Sequence, residues 1–126
     1  MYVINPQFDG AESFSEGLAV VRIGDLETGK YGYINKEGKI VINPQFDDAW
    51  NFSEGYAPVL IGDWKTGKRG YINKEGRFFI NPQFDGADSF SEGLAVVKIG
   101  GKWGYINKEG QIVINPQFDG AESFSK

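Results

Sequence analysis

One stretch constrains this chain more than any other. INPQFDGAESFS begins at Ile4 and returns, nearly letter for letter, at Ile42, Ile80 and Ile114. The first two intervals are 38 residues and the third is four shorter, which gives repeats 4–41, 42–79 and 80–113 and a partial copy at 114–126. A period in this range marks stacked units, each too short to enclose a core and stabilised by its neighbours. The chain is therefore expected to form a single repeat domain over 1–126.

Within a repeat the pattern predicts three strands and a connector. LAVVRI (18–23) has the β-branched content of a strand, with turn residues on either side. GDLETG (24–29) turns the chain back; Gly100-Gly101 does the same in the third repeat and accounts for its missing residues, as expected of a surface loop. KYGYIN follows, then NKEG (35–38), whose Asn start and Gly end read as a hairpin closed by a type I turn. The third strand is KIVI (39–42), with RFFI and QIVI in the later copies. Tyr2-Val3-Ile4 matches that third strand, so the chain is expected to start on the last strand of a repeat, as an N-terminal cap. Asn5-Pro6 is expected to stop it, because proline removes a ladder donor. Phe8, Ala11 and Phe14 are spaced three apart and predict an irregular connector with inward aromatics.

Comparison of the copies suggests which face is buried. Ala19, Val21 and Ile23 recur as Ala57, Val59, Ile61 and as Ala95, Val97, Ile99, whereas Leu18, Val20 and Arg22 become Tyr56, Pro58 and Leu60. The first set is expected to face the core. Pro58 implies an edge or a bulge. The recurring glycine of the second strand, Gly32, Gly70 or Gly104, implies close approach by a ring or backbone from the neighbouring unit.

With KWGYINKEG (102–110), FSEGLAVV (90–97) and INPQFD in view, the chain resembles the bacterial WG-repeat family, also known as KWG repeats. The resemblance spans essentially the whole chain and implies a β-rich repeat. It departs from the family pattern in that the Trp-Gly pair occurs only at Trp103-Gly104, with Tyr31-Gly32 and Arg69-Gly70 in the other copies.

Composition narrows the function classes. The chain has no histidine, which removes the usual general base near neutral pH and the commonest metal ligand. It has no cysteine, hence no disulfide framework, thiolate nucleophile or Cys-ligated zinc. A net charge of −4 without any basic run argues against nucleic acid and against an anionic membrane surface. No apolar run approaches the roughly 20 residues that span a bilayer, and the N-terminus lacks the pattern of a signal peptide. A soluble chain is expected, from an unknown compartment. Carboxylates cluster in the connector, Asp9, Glu12 and Glu16 and again Asp85, Asp88 and Glu92. Asp is expected to bond turn amides and Glu to cap the connector, and Trp50 in place of Glu12 weakens a repeated Ca²⁺ site. NKEG lacks the Gly-rich run and Lys-Ser/Thr of a phosphate loop. No enzyme, cofactor or metal site is expected.

What varies between copies is a candidate recognition face: Tyr31/Arg69/Trp103, Glu12/Trp50/Asp88, Leu18/Tyr56/Leu94 and Leu26/Trp64. Trp50, Tyr56 and Trp64 share the middle copy and suggest a ligand patch there, with Tyr31, Arg69 and Trp103 as further members. The expected architecture is all-β, a tandem repeat of three-stranded antiparallel meanders with connectors in an open stacked array; the alternative is propeller-like blades closing through oligomerisation. The leading function is a non-catalytic structural or interaction module that presents a β surface to a protein partner or to a second copy. The alternative is a carbohydrate-binding module in which Trp and Tyr stack on sugar rings. Near identity between copies is what recent duplication or construction from a consensus unit would leave, and the sequence does not separate them.

Overall fold

The computed structural model describes residues 8–119. The expected cap strand at Tyr2-Val3-Ile4, the Asn5-Pro6 stop and the end of the partial copy lie outside them. Among the described residues all regular structure is β, in three separate four-stranded antiparallel sheets whose strands follow chain order. The first holds β1 (Gly10–Ala11), β2 (Ala19–Ile23), β3 (Lys30–Ile34) and β4 (Ile40–Phe46). The second holds β5 (Asp48–Ala49), β6 (Ala57–Ile61), β7 (Lys68–Ile72) and β8 (Phe78–Phe84). The third holds β9 (Gly86–Ala87), β10 (Leu94–Ile99), β11 (Lys102–Asn107) and β12 (Ile112–Phe118). No helix among them is long and apolar enough to cross a membrane.

Each sheet thus has one strand more than the expected meander. The connector lends two residues to the edge, as where Asp48 and Ala49 pair with Leu60 and Val59. The NKEG hairpins form as expected: Gly38 N donates to Asn35 O at 3.0 Å, and the Asn35 side chain accepts from Glu37 N and Lys39 N.

Proline does not stop the third strand in the described copies. β4 runs on through Asn43 and Pro44 to Phe46, with Tyr31 opposite Phe46 and Tyr33 opposite Ile42. The extra residues form a bulge, where the missing N–H of Pro44 costs no ladder bond. This explains the recurring glycine. A Cβ on Gly32 would lie 2.5 Å from Ile42 O and 2.6 Å from Pro44 N, so the crowding comes from the bulge of its own sheet and not from a neighbouring sheet. Pro58 fits for a different reason. Its carbonyl accepts from Trp50 N at 3.2 Å, so its nitrogen lies on the β5 side and the ladder to β7 loses nothing.

The expectation of one core face is corrected. Val20, Leu60 and Val96 are each 1% exposed, whereas Ile23 is 44% exposed. The second sheet is buried on both faces because it packs between the other two. One cluster joins Leu18, Val20, Tyr33 and Phe46 of the first sheet to Phe52, Ala57, Val59 and Ile72 of the second. Another joins Tyr71, Ile80 and Phe84 of the second to Phe90, Ala95, Val97 and Ile106 of the third. Removing side chains of this size from water stabilises by about 1.5–3 kcal/mol each, which ties every sheet to its neighbour. The Phe52 and Phe90 side chains of the connectors point inward as expected, whereas Phe14 of the first connector is 38% exposed. Tyr33 meets Phe52 edge-on at 4.9 Å and donates to Trp50 O at 2.6 Å; Tyr71 donates likewise to Asp88 O. Burial pushes both phenols far above their ordinary pKa.

At the opposite end of the strands the sheets are clamped by glutamates. Glu16-Gly17 is a two-residue turn with φ of 54° and 85°, closed by reciprocal bonds between Ser15 and Leu18. The Glu16 carboxylate accepts from Glu54 N at 2.7 Å and Gly55 N at 3.0 Å, and Lys74 pairs with it at 3.4 Å. Glu54 repeats this grip on Glu92 N, Gly93 N and Lys108.

Candidate functional site

The loops and connector starts form a rim away from the glutamate clamps, and most of the variable side chains meet there. The motif aspartates organise it. Asp9, Asp47 and Asp85 each hold the first glycine of their sheet's loop, accepting from Gly24 N at 2.7 Å, Gly62 N at 2.7 Å and Gly100 N at 3.0 Å. Asp47 and Asp85 also pair with Lys30 and Lys68. Burial opposes ionisation of Asp47, but Lys30 and the Gly62 amide outweigh it and hold the pKa below the ordinary carboxylate value. In the loops, Asp25 and Asp63 accept from the amides and hydroxyls of Thr28 and Thr66.

A recess of about 640 Å³ opens where the first two sheets meet. Tyr31, Leu26 and Glu27 line it from the first sheet and its loop; Asp47, Asp48, Leu60, Gly62, Asp63 and Trp64 line it from the second. Trp64 is 72% exposed. Asp48 is half-buried and is drawn on by burial, which raises its pKa against the pull of the Ala49 amide and Arg69. A smaller recess of about 280 Å³ lies at the next junction, lined by Trp50, Pro58, Arg69, Trp103 and the stretch from Asp85 to Ser89.

The structure brings Trp50, Trp64 and Arg69 together. The Arg69 guanidinium lies 5.5 Å from the Trp50 ring centre and 5.9 Å from that of Trp64, and it donates to Asp85 O at 2.6 Å. Tyr31 and Trp103 occupy the positions equivalent to Arg69 in the other sheets, and the Trp103 ring crosses Gly86 with Lys98 5.8 Å from its centre. Tyr56 is elsewhere. It stacks on Phe79 at 4.3 Å between the second and third sheets, beside a recess lined by Glu54, Lys74 and Lys108. The patch suggested by Trp50, Tyr56 and Trp64 is therefore divided, with Tyr56 serving the interior. Asp48, Glu27 and Leu60 belong to the site and were not singled out from the sequence. The signal for Asp48 was present, since Gly10 and Gly86 hold its place in the other copies.

The connector carboxylates do not converge. Asp9 holds Gly24 N and Glu16 reaches the second sheet, and among the described residues no group of three acidic side chains is placed to hold a metal.

The fold and rim define a class, an all-β repeat protein of separate antiparallel sheets with recesses where they meet. A family model described as a WG containing repeat matches residues 1–26, 31–63, 70–103 and 103–126, and the chain belongs to that family. No curated protein and no solved structure matches it.

Proposed function

We propose that the chain is an open stack of sheets acting as a non-catalytic interaction module, and that it takes a protein segment at the rim recess between its first two sheets. The observation that carries this reading is the convergence of side chains that differ between copies, Tyr31, Asp48 and Trp64, on one recess with an exposed tryptophan at its mouth. Aromatic anchors beside a pocket are the usual centre of a protein-binding surface. The open array is supported by core clusters that join each sheet to its neighbour. In the alternative, four strands in chain order also suit a propeller blade, and a ring would need a second chain. The exposed Trp64 ring lends some support to sugar stacking.

A random peptide library and a glycan panel, each presented to the whole chain with calorimetric titration of the hits as readout, test the proposal. Saturable binding of peptides that Trp64→Ala and Tyr31→Ala both weaken is the expected result. Saturable binding of glycans alone, or peptide binding indifferent to both substitutions, would overturn it. Mass by light scattering separates the open stack, a monomer, from a closed ring, a discrete oligomer.

A further inference from the structure

At two of the three rims a guanidinium is bonded to the backbone carbonyl of the connector aspartate. Around Asp9, Arg22 donates to the backbone carbonyl at 2.9 Å and lays its guanidinium over Gly10. Around Asp85, Arg69 donates to the equivalent carbonyl, and Lys98, at the position of Arg22, lies over Trp103. Around Asp47 both places are filled differently. Leu60 stands where Arg22 and Lys98 stand, and Tyr31 stands where Arg69 stands. In the same connector the second acid is shifted, because Asp48 takes the place of Gly10 and Gly86 while Trp50 takes that of Glu12 and Asp88.

The carboxylates there are unequally engaged. Asp47 is held by Lys30 and Gly62 N, and Asp63 by its own loop. Asp48 accepts from the adjacent Ala49 amide at 2.8 Å, and Arg69, which favours its ionised form, is committed to Asp85 O and the two tryptophan faces. Glu27 is exposed on the loop at the mouth. A half-buried carboxylate facing a recess with aromatic and aliphatic walls is costly without a counter-charge. Aromatic faces attract cations, and leucines suit the methylene stem of a long basic side chain.

We propose that this recess takes the cationic end of a lysine or arginine side chain from a basic peptide segment. Asp48 and Glu27 supply the counter-charge, Tyr31 and Trp64 the aromatic faces, and Leu26 and Leu60 the cover for its stem. This rests on the protein-binding reading above and names the chemistry of the partner.

The test is calorimetric titration of the whole chain with three capped, unstructured peptides of equal length: one carrying Lys and Arg among Gly and Ser, one with those residues replaced by Gln, and one with Glu. The basic peptide should bind saturably. Asp48→Asn or Trp64→Ala should weaken it about tenfold. Glu75→Gln, which removes the same charge from the NKEG hairpin of the second repeat, should leave it unchanged. Thermal melts accompany each variant, and Asp48→Asn should melt no lower than the parent, so that a loss of binding is not a loss of fold. Equal weakening by Asp48→Asn and Glu75→Gln would mean general attraction to an acidic chain and would overturn the proposal. Preference for the Gln or Glu peptide would overturn the cation assignment while leaving the recess a protein site. Silence toward all three, together with an empty peptide library, would remove both readings.

Discussion

Glu16, Glu54 and Glu92 sit at φ near +55°, a left-handed backbone that costs a side chain with a Cβ on the order of 1 kcal/mol. Asn or Gly would sit there more easily. At Glu16 and Glu54 the compensation is the reach of the side chain to two amides and a lysine on the next sheet. Replacing Glu54 with Asn relaxes the turn and removes the grip. After allowing for the partial exposure of the site, urea denaturation should show a net loss of about 1 kcal/mol. A variant as stable as the parent would mean that the grip contributes no more than the turn strain it offsets. The pH dependence has a definite sign. Burial opposes ionisation of Glu54, but the Gly93 amide, Lys108 and the Glu92 amide hold its pKa below 4.5. Its contribution is therefore present above that value and lost as pH falls through the lowered one, and Glu54→Gln should flatten this acid limb. Asp48 has the opposite sign. Its raised pKa means that ionisation costs stability as pH rises, so Asp48→Asn should be the more stable form at pH 7, with the gap closing near about pH 3.

At the scale of the strand, the bulge decides most. A Cβ on Gly70 would lie 2.4 Å from Ile80 O, backbone against backbone, with no flexible side chain to yield. Gly70→Ala should cost on the order of 2–4 kcal/mol in the same denaturation measurement and disturb the β7–β8 register. The long strands and NKEG hairpins were legible in the sequence because apolar runs and turn residues are local signals. The bulge was not, since Asn-Pro reads as a terminus unless its partner strand, with glycine at the crowded point, is already in place. Two-residue strands such as Asp48–Ala49 carry no periodicity to read. The second buried face was missed because variation between copies resembled exposure. Tyr56 shows the ambiguity: the copies with Leu18 and Leu94 carry Val41 and Val113, whereas the copy with Tyr56 carries Phe79, and the two half-buried rings stack on each other beside the core. Compensated variation in a core and free variation on a surface look the same when each column is read alone. At the rim, Trp50, Trp64 and Arg69 could be nominated from their departures, but their meeting, and the placing of Leu60 and Tyr31 beside Asp48, depend on how the sheets lie together.

In the whole molecule each sheet depends on the next. The second sheet has described neighbours on both faces, with Val59 and Tyr71 fully buried on opposite sides. Its amides should be the last to exchange with deuterium, and the slowest of them should be in β6 and β7. If β2 and β3 or β10 and β11 proved as slow, the three sheets would be opening as one unit and nearest-neighbour coupling would not describe the stack. The clamps add something that stability measurements do not report. Each carboxylate reaches forward, from Glu16 to the second sheet and from Glu54 to the third, and each lysine answers backward. The stack consequently has an arrow. Turned end for end it offers a different sequence of charges, so its two ends are not interchangeable.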